Sequence, residues 1–185
     1  MGSGPFDQGG HASVDTGGGP LLNLGSHVVD MVLWFAGGDP VEVSGNINRL
    51  VGIGLDETAA FEVLFSSGAV AQCLVTQAAP RFVYAVDIHG RDGRVTLRGA
   101  DFTQFEIEVP RQASAAYAHH AVVRPGSRGD HITTMVVPEM DEFALAVGEG
   151  EGLPPAITVT DARRVLQVLD PVVAADRGWS SVTIG

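Results

Sequence analysis

Residues 17–35 read GGGPLLNLGSHVVDMVLWF, and no other stretch restricts the fold as tightly. From Leu21 onward apolar side chains recur on almost every side of a helix, so the segment is expected to be a helix buried on most sides. Asn23, Ser26, His27 and Asp30 interrupt it at i, i+3, i+4 and i+7, which places all four on one narrow stripe. The ends are also written locally. Gly17, Gly18 and Gly19 free the backbone for an unusual entry, and Pro20 suits a first turn, where a missing N–H costs nothing. Gly37 and Gly38, followed by Asp39-Pro40, stop the helix.

Beyond this helix the chain is mostly strand. Residues 41–48 alternate apolar and polar side chains, as a half-buried strand does. Residues 57–65 and 69–78 are two further strand-like runs, and Ser66-Ser67-Gly68 between them predicts a hairpin. Residues 82–89 put Phe82, Tyr84, Val86 and Ile88 on one face and Val83, Ala85, Asp87 and His89 on the other. Gly90-Arg91-Asp92-Gly93 is a turn into residues 94–98, and residues 102–109 and 117–124 supply two more strands. Helices are expected over 138–147 and 160–177, the second kinked at Pro171, with a short strand at 181–184 rejoining the sheet. Helix first, strands in a block, helices last: this segregation predicts an α+β fold, a large, mainly antiparallel open sheet with helices packed on one face. Residues 1–16 read as a Gly-rich arm, and 17–185 as a single domain. If the sheet's second row is as apolar as Phe61, Val63 and Phe65, it needs a cover, so a homodimer or higher homo-oligomer through the sheet face is expected.

Composition narrows the partners. A formal charge of −11, with Arg163-Arg164 as the longest basic cluster, argues against nucleic acid or an anionic membrane. No apolar run is long enough to span a bilayer and no leader-like segment opens the chain, so a cytoplasmic protein is the default reading. Cys73 is the one cysteine, which rules out an intrachain disulfide and a Cys-based zinc site; in AVAQCLV it reads as a small buried hydrophobe. His119, His120 and His131 have no carboxylate at ligand spacing and are read as exposed loop histidines, so no metal site is expected.

The motif GGGPLLNLGSHVVDMVLWFAG resembles the one that opens the C-terminal domain of the Gfo/Idh/MocA oxidoreductases, the glucose–fructose oxidoreductase and inositol dehydrogenase family. IHGRDGRV is similar to that family's strand-turn-strand element, and DEFALAVGEGEGLPP with TVTDARRVLQVLD to its closing helices. The resemblance implies an α+β domain that binds a sugar, a polyol or a similar hydroxylated small molecule and mediates subunit pairing. It also implies a separate Rossmann domain that binds NAD(P) and supplies a catalytic lysine. Here no GxGxxG follows a strand and the chain has no lysine, so the 185 residues are not expected to bind a nicotinamide by themselves. By position in the motif, the acid/base pair falls on His27 and Asn23. Many relatives carry Asp where this chain has Asn23, and Asp30, one turn past His27, is a substitute. Asp30, Arg81, Tyr84 and His89 are the candidate substrate-binding residues.

Two functions are consistent with these residues. In the first, this is the substrate and oligomerisation domain of an oxidoreductase, incomplete without a nicotinamide-binding domain from a possible separate chain. In the second, it is a free-standing cofactor-independent isomerase, dehydratase, lyase or cyclase using His27 as acid/base. A third reading keeps only a binding scaffold. The catalytic readings need His27 to look into a hollow that small molecules enter; the bland alternative is a histidine satisfied inside the core.

Overall fold

Alternation in the sequence becomes strand pairing in a computed structural model, which describes residues 19–49, 56–79, 83–91, 93–99, 105–111, 119–123, 136–148, 158–174 and 180–184. The elements run α1 (Pro20–Ala36), β1 (Pro40–Asn48), β2 (Thr58–Phe65), β3 (Val70–Thr76), β4 (Tyr84–Gly90), β5 (Gly93–Gly99), β6 (Phe105–Arg111), β7 (His119–Val123), α2 (Val137–Gly148), α3 (Val159–Ala174) and β8 (Ser180–Thr183). Every paired strand among the described residues is antiparallel, and the fold is α+β. The strands hydrogen-bond in two groups of four, ordered β3-β2-β1-β8 and β4-β5-β6-β7. The ladder of β3 closes locally: the Thr76 hydroxyl accepts the Ala78 N–H at 3.1 Å, so the chain leaves the sheet there. Contacts gather into two compact units, Met1–Ala78 with Ile157–Gly185, and Ala79–Ala156.

In the first unit α1 and α3 cover one face of the sheet. Strand periodicity turns Val43 and Ile47, then Ala59, Phe61, Val63 and Phe65, then Cys73 and Val75 towards them, all buried. The helices answer with Leu21 and Val29 from α1 and Val165, Val168, Leu169 and Val172 from α3. Burying Phe61 or Phe65 in this way stabilises the fold by about 2–3 kcal/mol each. The apolar row of β2 is therefore the helix-covered one. Its opposite row, Thr58, Ala60, Glu62 and Leu64, is mixed, with Gln72 donating to Glu62 at 3.3 Å and the hydroxyls of Thr58 and Thr76 bonded at 2.7 Å. Phe61, Val63 and Phe65 thus supply no argument for subunit pairing, because the side chains on which that expectation rests are committed to the core.

α3 starts one residue earlier than the sequence reading places it. Thr158 and Asp161 form a reciprocal cap, with the Thr158 N–H and hydroxyl donating to Asp161 Oδ2 at 2.8 and 2.7 Å. The hydroxyl bond from Thr158, then the backbone bond from Thr158, hold the Asp161 carboxyl below the usual carboxylate range. Pro171 lies inside the helix, which continues to Ala174; so near the C-terminus the missing N–H removes one bond from the last turns only. β8 rejoins the sheet beside β1, with Val182 opposite Val43.

In the second unit β4 and β5 meet through Gly90 and Gly93, and β5, β6 and β7 continue as a meander. His119 and His120, read as loop residues in the sequence, open β7. His131 lies outside the described residues. α2 has no buried residue: Met140, Phe143, Leu145 and Val147 are all more than half exposed.

Candidate functional site

α1 is held at both ends by residues distant in sequence. At its N-terminus Asp56 Oδ2 accepts the Leu21 N–H at 2.7 Å, satisfying one of the donors that a helix start leaves open. Gly19 makes this cap fit. Its φ of 115° suits glycine, and a Cβ there would lie 1.9 Å from Asp56 Oδ1. At the C-terminus, Gly37 and Gly38 take positive φ values of 61° and 98°, and the β2–β3 turn closes over them. The Ser67 hydroxyl donates to the Ala36 carbonyl at 3.0 Å, and Ser66 Oγ accepts the Asp39 N–H at 3.0 Å. Arg164 of α3 donates to the Gly38 carbonyl at 3.2 Å and to Asp39 Oδ1 at 2.9 Å.

Fixed in this way, the helix divides into two sides. Pro20, Leu21, Gly25 and Val29 are buried against the sheet and α3. Asn23, Ser26, His27 and Asp30 lie on the outward side, Asn23 and Ser26 half-exposed and His27 and Asp30 exposed. The Ser26 hydroxyl donates back to the Asn23 carbonyl at 2.8 Å. No hydrogen bond or ion pair within the described residues engages the side chains of Asn23, His27 or Asp30. The stripe is as the sequence predicts; its surroundings are not. The apolar sides of the helix are packed as expected, with Leu22, Leu24, Val28, Val32, Leu33 and Ala36 half-buried against the core, but in place of a hollow facing His27 the polar edge lies in the outer layer of a two-layer unit, exposed among the described residues. The physical reason is the layering: α1 rests on the sheet and α3, and no described element of this unit lies over its other side.

The remaining candidates separate. Arg81 lies outside the described residues. Tyr84 and His89 belong to the second unit, on opposite faces of β4, Tyr84 half-buried and His89 exposed. On His89's face, Asp87 accepts the Thr96 hydroxyl and two bonds from Arg94, at 3.1 Å from Nε and 2.6 Å from Nη2, with Arg98 at 3.8 Å. The Thr96 bond first, then the Arg94 bonds, hold its carboxyl below the usual carboxylate range. Asp87 is thus a tied structural carboxylate. Among the described residues no group of three or more His, Cys, Asp or Glu side chains is placed to hold a metal. Nor does the glycine-rich start of α1 fit a nucleotide's phosphates, since the Asp56 carboxylate occupies the position such an anion would need. Burial pushes the Cys73 thiol up to about 12, so it is an inert core residue.

Two features escape the sequence reading. Asp56 lies in a loop without a motif, and a carboxylate that caps a helix 35 residues away leaves no local signature. Trp34 sits in the apolar run, yet it is 81% exposed and stacks on Phe35 with ring centroids 5.6 Å apart and planes 18° from parallel. Its spacing is the signal: four residues beyond Asp30 and seven beyond His27, it extends the polar stripe.

The sequence profile of the GFO/IDH/MocA C-terminal domain matches residues 3–96, just over half of the 185. The chain belongs to this family. Solved structures share the fold. An aldose–aldose oxidoreductase from Caulobacter crescentus complexed with glycerol superposes with a TM-score of 0.77 at 20% identity, over 98% of this chain and 52% of that one. A levoglucosan dehydrogenase in complex with NADH and L-sorbose gives 0.79 at 18% identity, over 98% and 55%. An NAD-binding oxidoreductase from Klebsiella pneumoniae gives 0.77 at 18% identity, over 96% and 54%. The chain spans about half the length of these structures. None of the curated proteins matches it in sequence. Among the described residues no helix is long and apolar enough to cross a membrane.

Proposed function

We propose that this chain is the substrate-binding half of a Gfo/Idh/MocA-type oxidoreductase acting on a sugar, polyol or related hydroxylated small molecule, with His27 as the acid/base. The observation that carries the reading is the unbonded, outward stripe of Asn23, His27 and Asp30 on the helix that opens the family domain. A neutral imidazole can take the proton of a substrate hydroxyl as that carbon is oxidised, and return it in the reverse direction. Asp30, one turn away, would accept from a second hydroxyl or orient the ring; Asn23 offers both a donor and an acceptor. Tyr84, His89 and Arg81 remain proposed substrate contacts on sequence alone. This chain's part is to bind the alcohol and move its proton. The hydride acceptor, an NAD(P) in a Rossmann domain, belongs to a partner segment or a separate chain.

The second reading, a free-standing, cofactor-independent isomerase, dehydratase, lyase or cyclase using His27 as acid/base, would need the walls of a pocket around His27 from this chain or a second copy of it. Pairing of two copies through a sheet face remains part of the proposal, since Val86, Ile88, Val95 and Leu97 lie half-buried on one face of the second unit's sheet.

The test fuses the nucleotide-binding half of the Caulobacter enzyme to this chain and measures NAD(P)-linked oxidation of aldoses and polyols. His27→Gln is expected to lower kcat by about 100-fold or more, with the thermal midpoint unchanged because the residue is exposed. A His27→Gln variant with the turnover of the parent would remove His27 from the mechanism.

A further inference from the structure

Along the outer edge of α1 the side chains read imidazole, carboxylate, indole: His27, Asp30, Trp34. The first two belong to the proposed proton-transfer site, while the third has no part in it and no place in the core. An indole so exposed beside polar side chains is unusual, because burying so large a ring is worth more than burying almost any other side chain. Phe35 backs one side of the indole, which limits its motion and leaves the other side open.

We infer that Trp34 is a stacking platform for a second sugar ring, so that the substrate is a disaccharide or glycoside instead of a bare monosaccharide. The inference rests on the proposed function. It goes beyond it by naming the size of the substrate. Seven helical residues return to nearly the same side of the cylinder about 10 Å further along the axis. Both side chains lean the same way, towards the helix start, so the separation of their tips is similar. One pyranose ring engaged by His27 does not reach Trp34; two linked rings do. A pyranose with equatorial hydroxyls presents a face of C–H groups, apolar and slightly positive, which matches the negative face of an indole. Asp30, between the two, accepts hydroxyl hydrogen bonds from either ring. An aromatic face with a carboxylate one helical turn away suits a carbohydrate better than a purely apolar surface does.

The experiment titrates the chain carrying Trp179→Phe, which leaves Trp34 as the single tryptophan, with cellobiose and with D-glucose, following indole fluorescence. Cellobiose is expected to shift the emission saturably, and D-glucose to require at least about ten times the concentration. Saturation-transfer NMR on cellobiose then compares the parent with Trp34→Ala and Trp34→Phe. The expected result is about a tenfold loss of affinity for Ala and partial retention for Phe, with unchanged circular dichroism since the ring is exposed. Equal responses to the two sugars, no response to either, or cellobiose binding indifferent to Trp34→Ala would overturn the inference. A loss of oxidation in the fused enzyme on Trp34→Ala, with cellobiose affinity unchanged, would also overturn it and make Trp34 a contact with the nucleotide-binding half. Cellobiose binding that depends on Trp34 while His27→Gln leaves turnover intact would sustain the platform and remove only the proton-transfer reading.

Discussion

The cap on α1 can be tested quantitatively. In Asp56→Ala the Leu21 N–H loses its acceptor, which costs about 1 kcal/mol for a helix cap. Removing the negative charge beside the N-terminal dipole adds about 0.3–1 kcal/mol. The total, about 1–2 kcal/mol, lowers the melting temperature of a chain this size by about 2–8 °C. Asp56→Asn keeps an acceptor and loses only the charge, so it should recover most of the difference. Gly19 provides an independent check, because its hypothetical Cβ lies 1.9 Å from Asp56 Oδ1. Gly19→Ala imposes a disfavoured backbone conformation, at about 1–3 kcal/mol, and in addition displaces the cap. In the Asp56→Ala background only the backbone part remains. Urea unfolding of the parent, the two single variants and the double variant, followed by circular dichroism, gives the coupling directly. An unmoved midpoint in Asp56→Ala, or two substitutions that add with no coupling between them, would rule out the cap.

Three further outcomes are expected from the geometry. Thr96→Val is expected to bring the Asp87 carboxyl back up towards the usual carboxylate range in an NMR titration, because the Thr96 hydroxyl is the first of the groups that lower it. A depressed carboxyl contributes stability that is complete above the unfolded value and is lost as pH falls through the folded one, so the acid-unfolding limb of the variant should begin at higher pH. Cys73 should resist iodoacetamide at mildly alkaline pH in the folded chain and react once denaturant exposes it, since burial pushes its thiol up to about 12. Phe61→Ala, which empties a site 2% exposed in the core, should cost about 3–5 kcal/mol in urea unfolding.

Much of this protein is legible without coordinates. The bounds of α1 are readable because Pro20, Gly37 and Gly38 act through their own backbones, and their effect does not depend on what surrounds them. Most of the strand runs, and the hairpin at Ser66-Ser67-Gly68, are readable because a strand with one buried face must alternate. The polar stripe is readable because helical spacing is a property of the chain. Tertiary structure alone decides which side of α1 faces outward, that Asp56 caps its start and Ser67 its end, and that the apolar row of β2 lies under helices. Those facts depend on which elements meet, through contacts between residues far apart in sequence, and neither periodicity nor local propensity carries that information. His27 shows the division clearly: its neighbours along the helix are set by spacing, and its exposure is set by the layer in which the helix lies.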